Sequence, residues 1–196
     1  MLTLDVTEAW HGQRPVLGPL RLSLAPGEVV ALCGPSGVGK STLLRIVADL
    51  HRGWRGTRQV LGPMAMVFQE PTLLPWRNLV QNITLVAGCS AAQARVALAE
   101  VGLDGRAVDL PGALSLGQQR RLALARAVAA RPDLLLLDEP FVSLDPTLAE
   151  DMMTLFQRLQ SRFGFAALLV THSEAEATRL ANRVLRLEGA PARLAA

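Results

Sequence analysis

The chain is 196 residues long and 50 % hydrophobic, which suits one domain with a sizeable buried core. Its net charge of +3 comes from arginines spread along the chain rather than gathered in one patch, so nucleic-acid binding is not expected. Two cysteines without metal or disulfide spacing, no basic-then-apolar leader in "MLTLDVTEAW", and no apolar run near the roughly 20 residues that cross a bilayer point to a cytoplasmic chain that meets a membrane only through partners.

In chain order, "LTLDV" (2–6) and "LRLSL" (20–24) alternate apolar and polar residues, the pattern of half-buried strands. "EVVALC" (28–33) is a short, nearly continuous apolar run, as in a parallel strand covered on both faces. Directly after it, Gly34-Pro35-Ser36-Gly37-Val38-Gly39-Lys40-Ser41 fits G-x-x-x-x-G-K-[ST], and "STLLRIVADL" follows with a helical pattern. Strand, glycine-rich turn and helix in that order are the context of a phosphate-binding loop. Glycines let successive N–H groups point at one anion, aided by the positive end of the helix, to which Thr42 also belongs. Lys40 can reach the β- and γ-phosphates, and the Ser41 hydroxyl can hold Mg²⁺. Lys40 is also the only lysine among 20 basic residues. A slim ammonium on a flexible stem is what such a site needs, whereas guanidinium is wide and demands a fork-shaped partner.

Residues 71–112 carry few strand signals, two short helical patterns and Pro or Gly at both ends, so they read as a helical lobe inserted into an α/β core made of 1–70 and 113–196. A helix is expected from Gly117 to Ala130. "LLLLDEP" (134–140) then places Asp138 and Glu139 at the end of a buried strand, where one carboxylate can hold Mg²⁺ and its neighbour can orient or deprotonate a water. Asp145 can cap a helix running from Pro146 to about Phe163, with Pro146 at its first position. "FAALLVT" (165–171) is a further buried strand, and Ser173 and Glu176 behind it have capping-box spacing. The last strand pattern is "NRVLRLEG" (182–189).

The order of phosphate loop, Gln69 in "VFQEPTLLPW", "LSLGQ" (114–118), "LLLLDEP", "SLD" (143–145) and His172 in "LLVTHS" resembles that of the ATP-binding cassette (ABC) ATPases. The resemblance covers essentially the whole chain. It implies an α/β P-loop NTPase of ABC-ATPase type, with a mostly parallel core sheet, an N-terminal antiparallel β lobe and the helical lobe. It implies ATP and Mg²⁺ as ligands, with Ser41, Asp138 and Gln69 toward the metal. It further implies Glu139 as the base, His172 as a γ-phosphate switch, and Gln69 as a sensor of Mg²⁺ and the attacking water. Ser115, Gly117 and Gln118 would open the signature helix against the γ-phosphate of a second copy in a head-to-tail dimer, and Asp145 would help link the two sites.

Two departures stand out. The signature has Leu116 where the family hallmark has its first glycine, which bears on rate. The family stacks a tyrosine on adenine, and this chain has no Tyr; Trp10 occupies the matching place with a larger π-face. "FQEPTLLPWRNLVQNI" and "DEPFVSLD" look most like the importers of nitrate, sulfonate, taurine and bicarbonate. That likeness implies a peripheral subunit on the inner membrane face, contacting permease subunits through Leu74, Pro75 and Trp76 and serving a solute-binding protein indirectly. An ABC exporter and a soluble ABC ATPase acting on nucleic acid or ribosomes are the alternatives. The latter usually carries two cassettes or a coiled-coil insertion, and neither pattern is present in this sequence.

Overall fold

The computed structural model describes residues 1–195, which divide into two compact units. The first comprises residues 1–64, 133–139 and 164–195, and the second residues 65–132 and 140–163. The expected helical segment 71–112 lies wholly within the second unit, which also takes in the helices on either side of the "DEP" turn.

The first unit is an α/β sheet. Its strands are β1 (Leu2–His11), β2 (Arg14–Leu17), β3 (Leu20–Leu24), β4 (Val29–Cys33), β5 (Trp54–Val60), β7 (Leu134–Asp138), β8 (Ala166–Val170), β9 (Arg183–Gly189) and β10 (Ala192–Leu194). Their order across the sheet is β3-β1-β2-β10-β9-β4-β8-β7. At one side, β1 pairs antiparallel with β3, β2 and β5. This is the antiparallel lobe expected at the N-terminus, and β1 and β3 bury alternate residues as their sequences predict. At the other side β4, β7, β8 and β9 run parallel. Every residue of β4, β7 and β8 is buried. A leucine so placed contributes about 1.5–3 kcal/mol relative to exposure, so the four leucines of "LLLLD" hold the Asp138 end of β7 firmly in the sheet. Strand β5, "WRGTRQV", was not expected; its arginines and glycine carry no strand pattern, and it forms because β1 offers it a ladder from Leu2 to Ala9. Helices α1 (Lys40–Val47) and α6 (Glu174–Leu180) follow β4 and β8.

The second unit begins with strand β6 (Met64–Val67), most of which it contains. It continues through α2 (Leu79–Ala87), α3 (Ala91–Glu100), α4 (Leu116–Ala129) and α5 (Pro146–Phe163). α2 and α3 are the two short helices read from 71–112. Asn78 and Ser90 start them with complete capping boxes, each satisfying two backbone N–H groups. α2 and α3 pack on each other and on α4, which buries α4 without a break from Leu122 to Val128. Asp145 accepts a hydrogen bond from Leu148 N (3.0 Å) and starts α5 at Pro146, as its sequence predicts. No described helix is long and apolar enough to cross a membrane.

Candidate functional site

The loop between β4 and α1 is shaped by glycines that no other residue could replace cheaply. Gly34 has φ 151°, and a Cβ there would lie 2.6 Å from Leu187 O of β9. Gly39 has φ 116°, and its Cβ would lie 2.7 Å from Leu17 Cδ2. The loop is therefore pressed between two strands with its backbone in the left-handed half of conformational space, where L side chains are rare. Gly39 also leaves the start of α1 without a side-chain cap, and the first turn carries no acidic residue. The N–H groups at that end are thus free for an anion, which the helix dipole favours.

Lys40 is 4 % exposed. Its ammonium donates to Gly34 O (2.8 Å) and Pro35 O (3.0 Å) and lies 3.9 Å from Glu139 Oε1. Lys40, expected to reach the β- and γ-phosphates, has its ammonium held by carbonyls of its own loop. Next to it, Ser41 Oγ donates to Asp138 Oδ1 (2.9 Å), joining residues 97 apart in the chain. Burial pushes the Asp138 carboxyl above its ordinary value, against the Ser41 hydrogen bond and the charges of Arg45 and Lys40, which act the other way. A hydroxyl and a reluctant carboxylate side by side are hard oxygen donors, and they fit a Mg²⁺ ion that keeps most of its shell as water and phosphate oxygen. Arg45 is a contributor that sequence reasoning missed; a helical arginine carries no signal of its own.

Glu139 follows the strand end at φ 46°, an uncommon backbone for a non-glycine residue. Its N–H donates to Val170 O (3.0 Å), which ties the turn to β8. The carboxylate then sits between Lys40 and His172, with Oε2 3.4 Å from His172 Nδ1. The imidazole is half exposed, at 53 %, so the pair opens to solvent rather than being sealed in the core. Behind His172, Ser173 caps α6 by accepting from Glu176 N (3.3 Å). The reciprocal half of the expected box is absent: Thr171 Oγ1 accepts from Ser173 N (3.0 Å) and donates to the Glu176 carboxylate. A threonine one residue before the histidine supplies a nearer partner for both groups.

The first unit thus brings together Lys40, Ser41, Asp138, Glu139 and His172 from three strand ends. Trp10 lies on β1 of the same unit, outside this group of contacts. Its backbone N–H donates to Gly53 O (2.8 Å), and Arg55 Cζ stands 5.7 Å from the indole centroid, a cation–π contact.

Gln69, Ser115, Gly117, Gln118 and Asp145 belong to the second unit. Gln69 is exposed just past β6. Ser115 is the N-cap of α4: its Oγ accepts from Gln118 N (3.3 Å), and Gln118 Oε1 accepts from Ser115 N (3.1 Å) and from Arg106 Nη1 (2.7 Å). The Gln118 amide oxygen is therefore occupied locally, while the Ser115 hydroxyl keeps its proton to donate. Gly117 has a packing role as well, since a Cβ there would lie 2.6 Å from Leu148 Cδ2 of α5. Leu116 is 46 % exposed.

Residues 17–142 match the ABC transporter family. The chain is 46 % identical over 187 residues to the aliphatic sulfonates import ATP-binding protein SsuB of Ralstonia nicotianae, covering 91 % of this chain and 66 % of that protein. It is 47 % identical over 185 residues to SsuB 1 of Paraburkholderia xenovorans, covering 91 % and 54 %. It therefore spans less than two thirds of the length of either relative. Among solved structures, the dimeric post-hydrolysis state of the ATP-binding cassette MJ0796 bound to ADP and Pi superposes with a TM-score of 0.86 at 27 % identity, covering 100 % of this chain and 97 % of that one. With the fold, the glycine-shaped loop and the order of its polar groups, these likenesses establish that the chain belongs to the ABC transporter family.

Proposed function

We propose that the chain is the ATP-hydrolysing subunit of an ABC importer for a small anion of the aliphatic sulfonate class. The observation that carries the reading is the convergence of Lys40, Ser41, Asp138, Glu139 and His172 on one loop that leads into the uncapped start of α1. The names of the SsuB relatives supply the importer and the solute class. The nucleotide's triphosphate lies along Gly34–Thr42, with Lys40 swinging from its carbonyls to the β- and γ-phosphates. Glu139 takes the proton of the attacking water, and His172, 3.4 Å from it, donates to the γ-phosphate. Ser41 and Asp138 would hold Mg²⁺, which would neutralise charge on the phosphate oxygens, and Gln69 is read as the sensor of Mg²⁺ and the attacking water. Trp10 stacks on the base.

The dimeric state of MJ0796 supports pairing with a second ATPase subunit, and the family resemblance makes that pairing head to tail. In that arrangement Ser115, Gly117 and Gln118 face the partner's nucleotide, and Asp145 links the sites. Peripheral attachment to the inner membrane face comes through the permease. The turn that carries Leu74, Pro75 and Trp76 suits that contact. The fully buried Asn82 side chain donates to the carbonyls of Leu74, Arg77 and Asn78 and accepts from Leu74 N. A rigid turn thus presents Trp76 at 71 % exposure, the kind of preorganised aromatic that anchors interfaces. Residues 71–112 act in this reading as the helical lobe of a core made of 1–70 and 113–196. Uptake of an aliphatic sulfonate by cells that depend on this subunit tests the reading; uptake that persists when the subunit is deleted contradicts it.

Two variants separate its parts. Asp138→Asn keeps an oxygen to accept from Ser41 and removes a buried charge. Because folding raises the Asp138 pKa, the chain binds that proton more tightly folded than unfolded, so stability is lost as pH rises through the carboxylate range. At neutral pH the asparagine variant should therefore unfold at the same temperature as the unaltered chain or higher, yet lose the stabilisation that Mg-ATP adds over ATP alone. Thermal unfolding with and without Mg²⁺ checks both, and full Mg²⁺-dependent stabilisation of the variant would remove Asp138 from the metal. Leu116→Gly restores the family residue at an exposed position in the other unit. ATP affinity of the monomer should stay within about twofold while turnover at saturating ATP changes, since the signature acts on the partner's nucleotide. Loss of ATP binding by the isolated variant would be incompatible with a shared site.

A further inference from the structure

Thr72 holds a backbone conformation that its own side chain opposes. Its φ is 45°, and it is the one β-branched residue among the positive-φ non-glycine residues of the described chain. Such a residue is a genuine outlier, and it persists only where the surroundings hold it. Thr72 is itself exposed, so packing does not supply the restraint. Arg126 of α4 does. Its Nη1 donates to Thr72 O (2.9 Å), and its Nη2 donates to Pro71 O (3.0 Å) and to Thr72 Oγ1 (3.2 Å).

The guanidinium is a costly way to fill that space. Arg126 is only 9 % exposed, and no carboxylate pairs with it among the described residues. Burial alone lowers the pKa of its guanidinium below the ordinary arginine value. A methionine or leucine would fill the same core without desolvating a charge. What arginine adds is a planar fork able to grip two successive carbonyls and a hydroxyl at once. The gripped dipeptide lies two residues beyond Gln69, and the helix that grips it is the one Ser115 caps.

We propose that Arg126 is a positioning residue for Gln69: through its fork, α4 holds Pro71 and the left-handed Thr72 in the geometry that sets where the Gln69 segment leaves β6. The inference rests on the reading of Gln69 as the sensor of the attacking water. The signature end of α4 and the Gln69 segment then move as one body. A change at either is passed to the other through three hydrogen bonds rather than through a flexible loop.

The test uses the full chain with Arg126→Met, Arg126→Lys, Thr72→Gly and the double variant Arg126→Met/Thr72→Gly. Amide exchange of residues 68–74, measured without nucleotide, reads the clamp directly. Arg126→Met should speed it about tenfold, with exchange in β4 and β7 unchanged. In phosphate release from Mg-ATP, kcat should fall about tenfold or more with KM within about twofold, because the nucleotide still binds while its sensor is misplaced. Thr72→Gly in the methionine background should recover much of that kcat, since glycine enters the positive-φ region without being held there. Arg126→Lys can hold one carbonyl at a time and should fall between, and it carries the same test if the methionine variant does not fold. Normal exchange and normal kcat in Arg126→Met would overturn the proposal, as would a low kcat that Thr72→Gly leaves unrescued. Gln69→Ala with an unchanged kcat would overturn the sensor reading, while the exchange arm still decides whether Arg126 clamps Thr72.

Discussion

Lys40→Arg is expected to hydrolyse ATP roughly a hundredfold or more slowly than the unaltered chain, almost as slowly as Lys40→Ala, although the charge is kept. Lys40 is 4 % exposed, and its ammonium already touches Gly34 O and Pro35 O with Glu139 Oε1 at 3.9 Å. Those three oxygens enclose a space for one nitrogen with three donors. A guanidinium brings three nitrogens in a rigid plane and does not fit a space shaped for one. Steady-state phosphate release measures the loss, and an arginine variant at the wild-type rate would contradict the role given to Lys40.

Glu139→Gln should retain ATP binding and lose turnover by a factor of about 10² to 10⁴, the usual weight of a general base. The amide can still accept from the water and from Lys40 but takes no proton. Its position is set by the backbone rather than by the carboxylate: φ 46° and the Glu139 N to Val170 O bond belong to either side chain. The variant should therefore fold normally and accumulate as an ATP-bound dimer. Size exclusion with Mg-ATP would show the shift. A glutamine variant that stays monomeric and hydrolyses normally would exclude Glu139 as the base.

Much of the frame was legible because burial on two faces leaves a plain trace. β4, β7 and β8 appear in the sequence as runs of Val, Ala and Leu, closed by Cys33 in β4 and Asp138 in β7, and β1 and β3 as alternations. Local chemistry was legible too: Asp145 before Pro146 starts a helix in any setting that permits one. What depended on distant parts of the chain was not. β5 is a strand only because β1 has an edge to offer it. Glu176 turns from Ser173 to Thr171 because the strand end places a hydroxyl nearer. The loop glycines announced a tight turn, yet the reason for Gly34 and Gly39 lies in Leu187 and Leu17, contacts that pattern reading cannot reach. Arg126 and Thr72 are 54 residues apart, and neither carries any mark of the other.

Phosphate release from Mg-ATP by the purified chain, followed over a range of chain concentrations beside Lys40→Ala, bears most directly on the central claim. A site completed by a second copy predicts release above the alanine background, with activity per chain rising with concentration until the dimer is saturated. Release no greater than that of Lys40→Ala at every concentration would contradict ATP hydrolysis at the loop between β4 and α1.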